Sequence, residues 1–571
     1  MPQSHHKILK LIKQLEKLKT SFNKQTASEK LSILRKLSKS QFTGAESLKL
    51  YHDSLCFLRA YPDNATIFKL VDKELKSFSK RISYYKKKTS DKKGDNFYNS
   101  GIVNSVTEHP YSLGAAEYLI DEYNNALTID WEVNDEVADK LNESIQHLLA
   151  YQENDTFDND DYLDTVEWLE DASAKNKKSV LTTLVNLFRY SYLSRDLQVH
   201  FYDNLELAPD WDLTNSKGSR TLKQVGSPKL FYQKEPIKKR SANLRDELKK
   251  PTAKLKHLSK KEGLQRVKDI NEVLGVRNRE LFPLTYANPE EVYVYEPGRG
   301  VQIYLYGAKN NIRLPLESNF GAMIVRNGLP IGYGIAATLF ERVEIAINIF
   351  PAFRSGESAF IIEQFFKLFY KRFNSRLFLV RSYQMGDGDD EPLKSGALWF
   401  YYKLGFRAVK ENIRKMIAKE ADVIKSKNKY RSPIEKLRKL AKSDVFLHVD
   451  ESKMDKYQEL SLINLGMVVS NDCAEKFESN RGLMIEKSIE KLTRTLPIKN
   501  WKQWDENEQL ALKRLAPLFV NVLKKAKWTS KEKRELVEII KAKGNRCERK
   551  FSFLMSENEK LQNVIYKLSQ I

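Results

Sequence analysis

The chain has 571 residues, 41% of them apolar and 30% charged, with a formal net charge of +22. That length allows several domains and a sizeable core. No run approaches the roughly 18 apolar residues that a membrane helix needs. The N-terminus, Met-Pro-Gln-Ser-His-His followed by a lysine-rich amphipathic stretch, is not a signal peptide with an apolar core. A soluble, cytoplasmic protein without a membrane partner is therefore expected. The three cysteines, Cys56, Cys473 and Cys547, are far apart and lack C-x-x-C spacing. They fit free thiols in a reducing compartment and argue against a zinc site or a cysteine nucleophile.

The charge is unevenly spread. Residues 1–95 carry 22 basic and 9 acidic side chains, a net +13. Residues 96–215 carry 6 and 24, a net −18, and residues 216–280 carry 19 and 7, a net +12. Opposite signs in neighbouring segments predict that these parts pack on each other, or on one partner, through complementary fields. The alternative is a free basic surface that binds nucleic-acid phosphates. No RNP, zinc-finger or helix-turn-helix signature accompanies the charge.

In chain order, residues 1–95 read as basic helices. Ile8, Leu11, Leu15, Leu18 and Phe22 fall at helical spacing, and Thr26-Ala-Ser-Glu29 reads as a capping box. Lys86–Asp95 is a polar, charged linker. Residues 96–213 form an acidic, mainly helical region, with Ala126–Glu132 a strand or turn. Its Asp155–Asp164 run has no glycine at the sixth position and no glutamate at the twelfth, so it fails the test for a calcium loop. Residues 214–282 are a Lys/Arg-rich linker, or an extended arm wrapping a neighbour, followed by a helix from about Lys261 to Leu274.

Residues 283–410 change texture. Val292–Tyr295 and Val301–Tyr306 flank Glu296-Pro-Gly-Arg-Gly300, a hairpin signal, and Phe320–Arg326 and Leu329–Phe340 flank Asn327-Gly328, a second one. Val343–Phe350 reads as a strand, Ala359–Phe373 as a helix, Arg376–Tyr383 as a strand and Leu393–Leu404 as a helix stopped by Gly405. The result is an α/β core with a mixed sheet and helices on both faces. Residues 411–571 return to helix, with Thr529-Ser-Lys-Glu532 as a capping box and Gly544 as a stop. The fold class is therefore α/β, flanked by mainly α-helical N- and C-terminal regions.

Two motifs bear on chemistry. Asn348–Ala359 joins a strand to a helix N-terminus, where free amides and the helix dipole favour an anion. Ala397–Phe406 places Tyr401 on a helix just before Gly405 and Phe406. With the order of elements, they resemble the core of the GNAT acyltransferase superfamily, the acetyl-CoA-dependent N-acetyltransferase fold. The resemblance covers roughly residues 320–409, under a fifth of the chain. It implies a P-x-x-R/Q-x-x-G-x-G/A loop holding the CoA pyrophosphate, here Arg354, Ser355, Gly356, Glu357, Ser358 and Ala359. Pro351, Arg354 and Ala359 match. Glu357 stands where the central glycine is expected, and Gly356 lies one residue early. A carboxylate beside a pyrophosphate is repulsive, and a Cβ there blocks backbone approach. Glu357 otherwise reads as a first-turn residue compensating the dipole, with Ser355 as N-cap.

The A-x-x-x-Y-x-x-x-G-F pattern is matched by Ala397, Tyr401, Gly405 and Phe406. The resemblance implies that Tyr401 protonates the departing thiolate of acetyl-CoA or another acyl-CoA. Without it, the run from Trp399 to Tyr402 simply covers the sheet. Glu344, on the strand before the loop, resembles the position of a general base for an amine acceptor, protein or small molecule, with Glu341 as a fallback. Asp387, Asp389 and Asp390 form an acidic, glycine-containing loop beyond a strand end, where they would attract a cationic amine, hold a metal or serve as a plain loop. Two functions follow: a CoA-dependent N-acyltransferase, or a non-catalytic interaction protein with a degenerate GNAT-like core whose basic helices bind nucleic acid.

Overall fold

A computed structural model of the chain describes residues 2–89, 95–156, 164–226 and 229–570. Most of the Asp155–Asp164 run and part of the Lys86–Asp95 linker lie outside the described residues. The N-terminal region is five helices: Pro2–Leu18, Lys24–Ser38, Ala45–Ala60, Ala65–Lys76 and Phe78–Lys88. The second starts earlier than the Thr26–Glu29 signal suggests. Asn23 is its cap, accepting from the Thr26 amide over 2.8 Å while Thr26 Oγ1 accepts from the Asn23 amide. Asparagine caps as well as threonine, and the chain takes the box that starts three residues upstream. The acidic region packs its helices around a small antiparallel sheet of β1 (Val106–Glu108), β2 (Leu127–Thr128) and β3 (Asp210–Asp212), in the order β1-β3-β2.

The large sheet has nine strands: β4 (Leu255–His257), β5 (Ala287–Gly298), β6 (Val301–Ala308), β7 (Ser318–Arg326), β8 (Leu329–Leu339), β9 (Arg342–Ile349), β10 (Leu377–Val380), β11 (Arg407–Ala408) and β12 (Val445–His448). Their order is β11-β12-β10-β9-β8-β7-β6-β5-β4. β9 and β10 are parallel, and the other neighbouring pairs are antiparallel. The mixed sheet thus matches the α/β expectation. The two-residue turns behave as their composition requires. Arg299 and Gly300 sit at φ 56° and 74°, Asn327 and Gly328 at φ 48° and 79°, the left-handed pair that a tight hairpin needs.

Four elements depart from the sequence reading. β4 is drawn from the basic linker and β12 from the C-terminal region, so the sheet recruits strands from outside residues 283–410. Arg376–Tyr383 is a strand only over Leu377–Val380, and Ser382–Met385 is a 3₁₀ turn. The expected Leu393–Leu404 helix is two helices, Asp390–Ser395 and Ala397–Leu404, broken where Gly396 adopts φ 79°.

Helices cover both faces of the sheet. Tyr295 points to one face, where its hydroxyl bonds Gln364 in the helix Ser358–Arg372 over 3.1 Å. Tyr306 points to the other and donates to the Arg266 carbonyl in the helix Lys260–Gly275. The C-terminal helices from Leu462 onward hold their own apolar core, centred on Leu492, Leu512, Phe519, Leu536 and Phe551. They are latched to the sheet by buried Arg313, which donates to the carbonyls of Lys543, Asn545 and Arg546.

Candidate functional site

β9 and β10 are paired only through Leu377↔Arg342, Phe378↔Val343 and Leu379↔Glu344. Beyond that point β9 runs on to Ile349, whereas β10 ends at Val380. The face of β8 and β9 that carries Tyr333, Ile335, Ala337, Glu344, Ala346 and Asn348 is half-buried at all six positions. It is a shallow, partly open strip whose polar groups are Glu344, Asn348 and the Tyr333 hydroxyl. Asn348 donates to that hydroxyl over 3.0 Å.

Glu344 stands on this strip but not as a free base. Arg381 reaches it at 2.7–2.8 Å and reaches Asp444 at 2.9 Å. Glu341, the fallback, faces His448 at 3.7 Å and Lys453, and its carboxyl is held below its ordinary value, chiefly by the His448 contact.

Tyr401 is buried, with 4% of its surface exposed. Its ring packs edge-on against Phe400 and Phe406, and burial pushes its phenol well above its ordinary value. It belongs to the main apolar core of the molecule. A phenol closed to solvent is a poor proton donor unless a ligand reaches it.

The loop before the helix Ser358–Arg372 is the best-defined polar feature. Ser355 is exposed and is not the cap; Glu357 occupies the cap position with no side-chain cap bond. Its carboxylate is fully buried and turned into the protein. It accepts from Arg299 Nε at 2.9 and 3.0 Å, from Arg326 Nη1 at 2.8 Å, from Gln233 and from the Lys238 amide at 2.9 Å. Burial alone would raise this carboxyl. The Arg299 hydrogen bonds and the Arg326 charge outweigh it, so the group lies below its ordinary value. The expectation that Glu357 compensates the dipole from the first turn is thus corrected: buried Arg326 and partly exposed Arg299 claim it.

Tyr61 closes the loop from above. It follows the helix Ala45–Ala60, and its hydroxyl accepts from the Glu357 amide over 3.0 Å. Its ring stacks on Phe57 and lies 4.0 Å from the Arg326 guanidinium. A Cβ at Gly356 would sit 2.4 Å from that ring, so the glycine serves the close approach of a tyrosine. Arg354 donates to the Ile349 carbonyl at 3.0 Å and to Glu391 at 2.6 Å. The Glu391 pair is exposed, so it contributes only about 0–1 kcal/mol and exchanges readily. Ser358 donates to the Arg354 carbonyl, and Ala359 is half-buried in the first turn.

The acidic loop is largely spoken for. Asp389 caps the helix Asp390–Ser395 through the Glu391 amide. Asp390 is clasped by both ends of Arg438 at 3.0 and 2.7 Å. Asp387 accepts from Ser382 and is exposed. Among the described residues, no group of three or more His, Cys, Asp or Glu side chains is placed to hold a metal ion, and no helix is long and apolar enough to cross a membrane.

Sequence reasoning did not anticipate Tyr61, Arg299, Arg326, Arg381 or Asp444 at this site. Only Arg299 carries a local signal, a non-glycine residue within a Pro-Gly-x-Gly turn. The others arrive from distant segments. The arm binds in the same place through Phe231, paired to Asn327, and Gln233, paired to Arg326. Comparisons with protein-family models, with curated proteins and with solved structures each return no match.

Proposed function

We propose that this chain is a non-catalytic interaction protein, built on a GNAT-like core whose pyrophosphate loop serves as a structural joint. The observation behind it is Glu357. A carboxylate locked between Arg299 and Arg326, with Tyr61 on the neighbouring amide, leaves this loop's charge and one of its amides already engaged within the protein, which supports a structural role. The interaction surface lies in the basic N-terminal helices. Lys69, Lys73, Lys76 and Lys80 follow helical spacing along one groove of about 420 Å³. Its one acidic residue, Asp72, is already bridged to Arg59 and Lys76. Such a row fits the phosphates of a nucleic acid.

A second reading, an acyltransferase using acetyl-CoA, draws support from the length of β9 that extends past the end of β10, from the half-buried strip bearing Glu344, and from the exposed Arg354–Glu391 pair. One experiment separates the two. Thermal unfolding of the full chain is followed with and without millimolar acetyl-CoA. The interaction reading expects no change. Ligand at a hundred times its dissociation constant would add about 2.7 kcal/mol, so a rise of several degrees overturns it in favour of the enzyme.

A further inference from the structure

A second cationic feature lies away from the loop, where the C-terminal end of the helix Ser358–Arg372 meets the helix Arg549–Glu557. A cavity of about 270 Å³ there is lined by Lys371, Arg372, Arg376 and Arg549, with Asn374 beside them. Two rings border it, Tyr370 and the exposed Phe553. No acidic residue lines it.

The four cations are held by backbone carbonyls. Lys371 donates to Lys249, Arg372 to Ala253, Arg376 to Tyr370 and Ser375, and Arg549 to Arg372. Among the described residues none of them forms an ion pair. Glu341, whose carboxyl Arg376 helps to keep charged, faces His448 and Lys453 instead. The helix C-terminus accounts for part of this arrangement, since its carbonyls favour cations. It accounts for only a few N–H groups. Each guanidinium has five donors, and the buried Arg372 Nε has no partner. The Arg376 plane is fixed by stacking on Tyr370 at 4.5 Å. Four like charges around one cavity repel one another, and an anion with several oxygens relieves that repulsion while using the free forks.

We propose that this cavity is a binding site for clustered phosphate groups. It stands apart from the Glu357 loop and does not depend on which reading of the core holds. The phosphates could be carried by a free oligophosphate or by a nucleic-acid backbone, and the experiment tells these apart. Calorimetric titration of the full chain uses inorganic tripolyphosphate in one arm and a ten-nucleotide single-stranded DNA in the other. Saturable binding of tripolyphosphate that weakens about tenfold in Arg376→Gln, the loss of one charge-assisted contact, supports the site and assigns a free oligophosphate. DNA binding alone, weakened by the same variant, supports it with a backbone as ligand. Because Arg376 also caps a helix, Lys371→Gln is measured in parallel. Its side chain is exposed, so the melting temperature should hold while affinity falls several-fold. No saturation by either probe at millimolar concentration, or affinities unchanged in both variants, overturns the proposal.

Discussion

Arg326 Nη1 donates to Glu357 Oε2 over 2.8 Å, with both side chains closed to solvent. One residue belongs to the end of β7, the other to the loop before the helix Ser358–Arg372. Arg326 Nε also donates to the Ala60 carbonyl, so the same pair ties the sheet to the N-terminal helices. Breaking such a pair leaves an uncompensated buried charge. Glu357→Ala should therefore cost about 3 kcal/mol or more, read as a lower urea midpoint. A loss near zero would show the pair to be dispensable.

The same carboxylate sets an acid limb. Its folded value lies below the ordinary 4.5, so its contribution is present above pH 4.5 and is lost as the pH falls through the folded value. The stability gap between the wild type and Glu357→Gln should shrink between pH 6 and pH 3. A gap independent of pH contradicts the ion pair.

Glu280 should behave in the opposite sense. Burial pushes its carboxyl up to about 7, against the hydrogen bonds it accepts from the Ser112 amide. A raised folded value favours the protonated form, so stability falls as the pH rises from about 4.5 through 7. Glu280→Gln keeps the acceptor and removes the charge. It should match the wild type at pH 4 and exceed it at pH 8, as followed by thermal unfolding.

Gly356 and Tyr61 form a mutually dependent pair. Gly356→Ala forces a methyl to 2.4 Å from the Tyr61 ring, a cost of about 1–3 kcal/mol for overpacking. In a Tyr61→Ala background the clash is gone, and the same alanine should cost little. Additive losses in this double-mutant cycle would contradict the contact.

If the Lys69–Lys80 row binds single-stranded nucleic acid, log K should fall with log salt at a slope of about −0.7 per phosphate neutralised. Lys73→Gln should flatten that slope by about 0.7, while salt-insensitive binding rules the surface out.

Periodicity and turn chemistry act over a few residues, and what they govern was legible in the chain alone. The two tight hairpins, the Thr529 box at Ser530–Gly544, the helix before β10 and the mixed α/β sheet were all readable. Glu357 was legible as the odd residue in its loop. Its meaning was not, because a carboxylate at a helix start reads the same whether it faces solvent or two arginines. Only the tertiary structure brought Tyr61 and Arg326, 296 and 31 residues away along the chain, onto that loop, added β4 and β12 to the sheet edges, and buried Tyr401. Long-range burial sets the charge state and access of each group, and no local pattern encodes it.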